Sequence, residues 1–140
     1  MTREEILAAL AKWHDAFARR DLRAFAALYA ETAVLESPMV GSARGRDAVT
    51  RVIAKQWAAF PDSVFTLEPP VVDGDQAAIV ASVTGHHVGE FMGLPPSGKA
   101  FQISLVFMQT YRNGEIIRER RVYDFTGFLV HLGVLTAKPA

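Results

Sequence analysis

The sequence predicts an α+β fold in which three N-terminal helices pack on a curved antiparallel sheet that encloses a pocket. In the first half of the chain, apolar residues recur at helical spacing, whereas in the second half they alternate with polar residues as strands do. Two dipeptides, Asp73-Gly74 and Asn113-Gly114, each stand between two such strands and favour tight hairpin turns. Helices followed by antiparallel strands are typical of α+β domains.

Three helices are expected in the first half. Thr2 and Glu5 have the spacing of a capping box at the start of the first helix, and Asp21 is a suitable N-cap for the second. The third ends at Pro61-Asp62. The predicted apolar faces are Ile6, Leu10, Trp13 and Phe17, then Leu22, Phe25, Leu28 and Tyr29, then Val49, Val52, Ile53, Gln56, Trp57 and Phe60. A strand over residues 33–37 and a loop over residues 41–45 lie between the second and third helices.

The second half predicts two hairpins joined by a long connection. The predicted strands are residues 65–72, 77–88, 101–112 and 115–124. Residues 89–99, rich in Gly and Pro, connect the hairpins and are long enough to cover the mouth of a cavity.

The composition indicates a single domain over residues 1–140, since a hydrophobic share of 50% supplies a full core. The 15 basic and 15 acidic residues cancel, so no electrostatic reason points to nucleic acid or an anionic membrane as a partner. The absence of cysteine excludes a disulfide framework, a thiolate zinc site and a thiol nucleophile. No apolar run approaches the ~20 residues that cross a bilayer, and the N-terminus is charged, so we expect a cytoplasmic protein.

The Asn113-Gly114 turn fixes the register of the last hairpin if no bulge intervenes, because Arg112 then opposes Glu115. One face is predicted to carry Ile103, Leu105, Phe107, Gln109 and Tyr111 with Ile116, Arg118, Arg120, Val122 and Asp124. The opposite face carries Gln102, Ser104, Val106, Met108 and Thr110 with Ile117, Glu119, Arg121 and Tyr123. The first face is expected to line the cavity. The second is mixed in polarity and is the predicted homodimer interface.

Asp124 is the leading catalytic candidate, because an apolar cavity around a carboxylate at this strand end would favour its neutral form and suit it to proton transfer. His87 has the inward phase of its strand and is the second candidate, whereas His86 has the outward phase. A structural role for His87 remains open. Arg120 could reach Asp124 and make it a base or a mere ion-pair partner. The residues expected to bind substrate are Trp13, Trp57, Phe60, Phe91, Leu105, Phe107, Gln109 and Arg120, although ordinary core packing also explains the aromatic ones.

Several catalytic motifs are missing from the sequence. It contains no glycine-rich phosphate loop, no His-Glu-x-x-His run, no Gly-x-Ser-x-Gly elbow and no cluster with metal-ligand spacing. We therefore expect chemistry without a cofactor or a metal, carried by positioned acids and bases.

One segment carries a family resemblance. Residues 84–99 read TGHHVGEFMGLPPSGK and strongly resemble the segment Thr-Gly-x-His-x-Gly-x-Phe-x-Gly-Leu-Pro-Pro-Thr-Gly-Lys of SnoaL-like polyketide cyclases. Phe60-Pro61-Asp62, the Asn113-Gly114 turn, and Asp124 followed by Leu132-Gly133 resemble the family in order and spacing. The resemblance spans nearly the whole chain. It departs at Arg120, where many cyclases carry Trp, and at His131, where Gln is common.

The resemblance implies a cone-shaped nuclear transport factor 2-like fold and cofactor-free, intramolecular aldol ring closure of a polyketide ester. Asp124 matches the family's general acid/base and His87 matches its histidine. Three functions stay open at this point. The first is a cyclase, or a related lyase or isomerase, that acts on a small hydrophobic molecule, and the second is a non-catalytic binding protein of the same fold. The third is an epoxide-hydrolase-like enzyme, which needs an ordered water held by several polar groups. The third is less favoured, because this chain has Asp124 and Arg120 but no second buried carboxylate on the strand at 101–112.

Overall fold

The computed structural model describes residues 1–136, and in it three helices lie in the first half of the chain and most of the strands follow them, as the sequence predicts. The elements in chain order are α1 (Arg3–Ala18), α2 (Leu22–Ala26), β1 (Tyr29–Ser37), β2 (Gly41–Arg44), α3 (Arg46–Ala59), β3 (Val64–Leu67), β4 (Val71–Asp73), β5 (Gln76–His86), β6 (Ala100–Arg112), β7 (Glu115–Tyr123) and α4 (Phe125–His131). Two of these were not predicted. β2 lies where a loop was expected, and α4 adds a helix after the sheet.

The helix starts follow the predicted capping. The Thr2 hydroxyl accepts the Glu5 amide and the Glu5 carboxylate accepts the Thr2 amide, which completes a capping box on α1. The Asp21 side chain accepts the Ala24 amide at the start of α2. Both caps satisfy amides that have no partner within the helix. The predicted apolar face of α1 is buried, with Trp13 completely enclosed.

The sheet has the strand order β2-β1-β7-β6-β5-β3, and β4 also pairs with β5. β1 runs parallel to β7, so the sheet is mixed rather than purely antiparallel as predicted. The strand expected over residues 65–72 is split into β3 and β4, because Pro69 and Pro70 cannot donate ladder hydrogen bonds. Asp73 pairs with Gln76, so the first hairpin turns at Gly74-Asp75, one residue later than predicted. The second turn lies at Asn113-Gly114, where both residues have positive φ, as predicted.

A β-bulge changes the second hairpin. Arg112 pairs with Glu115 and Tyr111 pairs with Ile116, but Thr110 pairs with Arg118, which leaves Ile117 without a partner. An extra residue on one strand reverses the orientation of every side chain beyond it. The predicted faces of β7 are therefore wrong from Arg118 onward, whereas those of β6 are correct.

The burial of β7 shows the reversal. Glu119 is fully buried and Arg121 is 7% exposed, although both were expected on the outer face. Val122, expected in the cavity, is 49% exposed. Arg118 and Arg120 are exposed as well. The sequence pattern contains no signal that locates the bulge, since charged residues occupy both phases of this strand.

The core lies between the helices and the inner face of the sheet, and aromatic side chains dominate it. Within residues 1–136, no helix is long and apolar enough to cross a membrane. The connection between β5 and β6 is held against the end of α3, where the amides of Val88 and Gly89 both donate to the Ala59 carbonyl. A Cβ on Gly89 would lie 2.3 Å from the Ala58 carbonyl oxygen, so only glycine permits this approach of the two backbones.

Candidate functional site

A partly open cavity of about 80 Å³ lies between the inner face of the sheet, α1, α3 and α4. Its lining is mostly apolar and aromatic, with a few polar groups, as is typical of small-molecule sites. The lining residues are Phe17, Gln56, Trp57, Phe60, Ser63, Phe65, Val83, Phe101, Ile103, Leu105, Arg121, Tyr123 and Phe128.

Packed rings fix the apolar walls of the cavity. Phe17 and Phe65 stack with their centroids 3.9 Å apart, and Trp57 meets Phe17 edge-on at 5.6 Å. On another wall, Phe101 contacts Phe60 and Phe128, each with a centroid separation of 5.0 Å. Such edge and stacked contacts hold the rings in defined orientations. The cavity therefore has a shape of its own before any ligand enters.

Arg121 supplies the charged group of the cavity lining. Its Nε donates to Glu119 Oε2 at 2.9 Å and its Nη1 donates to Gln56 Oε1 at 2.9 Å. The guanidinium also lies over the Phe107 ring, 5.2 Å from its centroid. For Nη2, the described part of the chain contains no hydrogen-bond partner, and this atom is not among the fully buried ones. Since Arg121 lines the cavity, we infer that Nη2 is the nitrogen that faces its open space.

Glu119, buried behind the cavity lining, holds Arg121 in place through a salt bridge. Its Oε1 accepts the Tyr29 hydroxyl at 2.9 Å and the Gln109 amide at 2.7 Å, in addition to the Arg121 bond on Oε2. Trp13 Nε1 in turn donates to the Tyr29 hydroxyl, and the Tyr111 hydroxyl donates to Gln109 Oε1. This network satisfies a buried charge pair with several hydrogen bonds, as a stable buried pair requires. Glu119 does not line the cavity itself.

The network and the cavity lining also shift the ionisation of the tyrosines. Burial raises the pKa of Tyr29 well above its usual value, and the negative charge of Glu119 raises it further. The pKa of Tyr111 is raised by the same two causes, burial being the larger. Burial also raises the pKa of Tyr123, against the opposing effect of the Arg121 charge. All three phenols therefore act as neutral hydrogen-bonding groups around neutral pH.

Asp124 does not lie in the cavity. Its side chain is exposed and caps α4, with Oδ1 accepting the Gly127 amide at 2.9 Å. The expectation that this carboxylate is buried among apolar residues is therefore wrong, because the bulge turns Tyr123 inward in its place. Among the residues described, Arg120 forms no ion pair with Asp124. A role of Asp124 in proton transfer stays a prediction.

His87 is buried with its ring facing inward, as its strand phase predicts. Its Nδ1 accepts the Ser97 amide at 3.3 Å and lies 3.1 Å from the Ser97 hydroxyl. With Nδ1 as the acceptor, a neutral ring carries its proton on Nε2, which is buried and has no partner among residues 1–136. The ring contacts Phe60, which lines the cavity, but His87 itself does not. These contacts fit the structural alternative, and proton transfer by His87 remains a prediction.

The predicted binding residues fall into three groups. Trp57, Phe60 and Leu105 line the cavity. Trp13, Phe107, Gln109 and Phe91 are buried behind the lining. Arg120 is on the outer face of the sheet, contrary to its predicted inward position. The 89–99 connection does not line the cavity either, and only Phe91 reaches the lining residues, through Phe60 and Phe128.

Several lining residues were not predicted from the sequence. Val83 and Phe101 have the inward phase of β5 and β6 that was used for His87 and Leu105, so strand alternation could have found them. Strand alternation alone places Arg121 and Tyr123 on the outer face, so they could not be predicted without knowledge of the bulge. No group of three or more His, Asp or Glu side chains with metal-binding geometry occurs in the described part of the chain.

The comparison with known families decides the classification. The profile of the family described as SnoaL-like polyketide cyclase matches residues 8–132. The chain belongs to this family. Its nuclear transport factor 2-like fold, inferred above from a resemblance, is confirmed by the solved structures that the chain resembles.

Three solved structures illustrate the relationship. IdmH from Streptomyces antibioticus, a candidate polyketide cyclase, is 31% identical, with a TM-score of 0.76 over 91% of this chain and 97% of IdmH. AclR from Streptomyces galilaeus, a candidate hydroxylase, is 25% identical, with a TM-score of 0.84 over 99% of this chain and 91% of AclR. A candidate SnoaL-like cyclase from Jannaschia sp. CCS1 has 20% identity and a TM-score of 0.86 over 97% and 94% of the two chains, and supports the fold alone. No curated protein matches the sequence.

Proposed function

We propose that this protein is a cofactor-free enzyme of the cyclase type, performing intramolecular aldol ring closure or a related lyase or isomerase reaction on a small hydrophobic carbonyl compound. The observation that supports this most is the partly open, aromatic cavity with a few polar groups in its wall. Membership of the SnoaL-like family and the likeness to IdmH point to the same chemistry. Such reactions need a proton acceptor, an acidic carbon held near it and a site that limits access of water.

Asp124 is the proposed proton-transfer group. In the chain it stands between Tyr123 and Phe128, which both line the cavity, so the start of α4 adjoins the site. His87 is the proposed assisting group, because its Nε2 has no partner among the described residues and its ring contacts Phe60 of the lining. The two groups belong to different parts of the fold and can be tested separately.

The test is exchange of acidic protons in D₂O, followed by NMR on a panel of β-diketones, β-keto esters and polyketide-like esters. We expect Asp124→Asn to lower the exchange rate about 10²–10⁴-fold, because an amide cannot accept the proton. The fold should persist, since Asn is as good an N-cap as Asp for α4. Asp21→Asn is the matched control, because Asp21 caps α2 with the same geometry and lies outside the cavity lining. If Asp124→Asn keeps the wild-type rate, Asp124 is not the base.

A binding protein without chemistry is the second candidate. The exposure of Asp124 and its engagement as a helix cap favour this alternative. It predicts that ligands raise the melting temperature while no member of the panel exchanges or reacts. Ile103→Trp, which fills the cavity, should then abolish the ligand-induced shift, whereas Val71→Trp on exposed β4 should not. The epoxide-hydrolase alternative is weaker, because the buried carboxylate Glu119 binds protein donors and does not line the cavity.

We also propose that the protein is a homodimer formed through the outer face of the sheet. Val80 pairs with Val106, and Val106 pairs with Val122, which places three valines in a row across β5, β6 and β7. Val80, Val122 and the neighbouring Met108 are exposed. A contiguous apolar row of this kind is typical of an association surface.

A further inference from the structure

We propose that Arg121 recognises a carbonyl oxygen of the substrate and holds it in the cavity while that oxygen gains negative charge. The substrate is then a ketone or a β-dicarbonyl compound that has either a single ring or a short chain. This inference rests on the proposed function of the cavity as the substrate site, and it adds a specificity-determining residue that the sequence pattern placed on the wrong face of the sheet.

The geometry of Arg121 supports a donor role. Two of its nitrogens are held in place, Nε by Glu119 and Nη1 by Gln56, each at 2.9 Å. The third, Nη2, faces the cavity and has no partner in the part of the chain that the structure describes. A guanidinium fixed on two sides loses little further side-chain freedom when it binds an oxygen through the third. It is a preorganised donor in an otherwise apolar wall.

The charge balance favours a carbonyl over a carboxylate. Glu119 is fully buried beside Arg121, so the pair is neutral as a whole. A permanently charged carboxylate would leave a net negative charge in an apolar cavity, which is costly. A neutral carbonyl adds no charge on binding. When charge develops on its oxygen, the nearby Arg121 N–H lowers the energy of that state.

The cavity size limits the ligand. At about 80 Å³ it is well below the roughly 300–1,000 Å³ of sites that enclose drug-sized ligands. Its walls are flat rings, among them Trp57 and Phe65. A single planar ring or a short chain fits these walls, and a multi-ring compound would insert only one end.

The chemical step is an enolisation that balances without any oxidant or reductant. A base removes a proton from the carbon next to the carbonyl, and the electrons of that C–H bond form a C=C bond. The former C=O π electrons move onto the oxygen, which Arg121 Nη2 stabilises. In ring closure, the enolate carbon attacks a second carbonyl carbon of the same molecule, the π electrons of that carbonyl move onto its oxygen, and the resulting alkoxide takes the proton back from the base. In isomerisation, the base returns the proton to a different carbon of the conjugated enolate.

The test measures binding of two nearly isosteric probes, acetophenone and α-methylstyrene, which differ in C=O against C=CH₂. Protein-observed NMR titrations follow the indole signal of Trp57 in the lining, with that of enclosed Trp13 as an internal reference. The double variant Glu119→Gln/Arg121→Met removes both charges and leaves no unpaired buried anion, and the introduced amide oxygen can still accept from Tyr29 and Gln109. We expect the affinity ratio of acetophenone to α-methylstyrene to fall at least about tenfold, because a hydrogen bond from a charged donor is lost.

Two further variants keep the inference falsifiable. Arg121→Lys retains the charge but not the forked geometry, so we expect the same loss of carbonyl preference. This variant tests the inference even if the double variant does not fold. Arg120→Met, on the adjacent residue of the opposite face, should leave the ratio within about twofold of wild type. Benzoate should bind the wild type more weakly than acetophenone.

The outcomes separate this inference from the proposed function. If both probes bind in the cavity but the folded Arg121 variants keep the wild-type affinity ratio of acetophenone to α-methylstyrene, Arg121 does not bind the carbonyl oxygen. The proposed function still stands in that case. If benzoate binds more tightly than acetophenone, the proposed ligand class is wrong. If neither probe shifts the Trp57 signal, the cavity is not a carbonyl site and the inference fails with it.

Discussion

At the scale of single residues, neighbours in the second hairpin face opposite sides of the sheet and have different surroundings. Arg120 and Arg121 are adjacent and chemically identical, yet one is exposed and the other lies in the cavity wall against Glu119. Sequence alternation correctly predicted the inward position of His87, because no bulge interrupts β5 between its hairpin turn and that residue. It failed for Asp124, whose side chain is a helix cap.

The three tyrosines give a prediction on pH dependence. The sequence has three tyrosines, and the pKa of each is raised by burial in the folded protein. An unfolded tyrosine ionises near pH 10. Above that pH the unfolded state binds fewer protons than the folded state, so the free energy of unfolding falls as pH rises.

We therefore expect full tyrosine-linked stability below about pH 10 and progressive loss above it. Urea denaturation between pH 8 and pH 12 measures the loss, and phenolate absorbance measured in parallel should appear together with unfolding. A folded protein that shows the absorbance of three phenolates at about pH 10.5 would contradict this assignment.

At the scale of elements, most helices and strands were predictable because their signals are local. Capping residues, apolar periodicity and the Asn113-Gly114 turn predicted α1, α2, α3, β6 and the start of β7. β2 was missed because Gly41 and Ser42 favour a turn. α4 was missed because Asp124 was interpreted as a cavity carboxylate, although Asp at a strand end is equally an N-cap signal.

The bulge gives a prediction at this scale. A variant that lacks Ile117 should keep Tyr111 paired with Ile116 and Thr110 with Arg118, because the deletion removes only the unpaired residue. Glu119 and Arg121 would still face inward. The loss of one half-buried side chain should cost at most about 3 kcal/mol in the free energy of unfolding.

A variant that lacks Arg120 is the matched comparison. That deletion also removes one residue of β7, but it turns Arg121 outward and leaves buried Glu119 without its cation. Such a loss costs about 3–5 kcal/mol, so we expect the second deletion to be clearly the more destabilising in urea denaturation. Equal losses would contradict the role assigned to the bulge.

At the scale of the whole molecule, the two faces of the sheet carry different features. The inner face carries the cavity and the Glu119 network, and the outer face carries the valine row of Val80, Val106 and Val122. The fold could be predicted because the order of elements and the family segment at 84–99 are long-range features of the sequence. The site could be predicted only in part: periodicity finds Trp57, Phe60 and Leu105, but a one-residue irregularity decides which side chains of β7 enter the cavity.

The outer face gives the prediction on assembly. Light scattering at micromolar concentration should show a dimer, and Val122→Lys should convert it to a monomer by placing a charge in the valine row. Val71→Lys, on exposed β4 and outside that row, should leave the dimer intact. A wild-type protein that is monomeric in this experiment would exclude the proposed interface.

The contact of Gly89 with the end of α3 couples the start of the 89–99 connection to the cavity wall. The amides of Val88 and Gly89 both depend on the Ala59 carbonyl, and the two backbones touch without an intervening side chain. The same end of α3 presents Gln56 and Trp57 to the cavity. Residues 88 and 89 therefore do not move outward independently of α3: such a motion either breaks both hydrogen bonds or draws the last turn of α3, and with it the cavity wall, along.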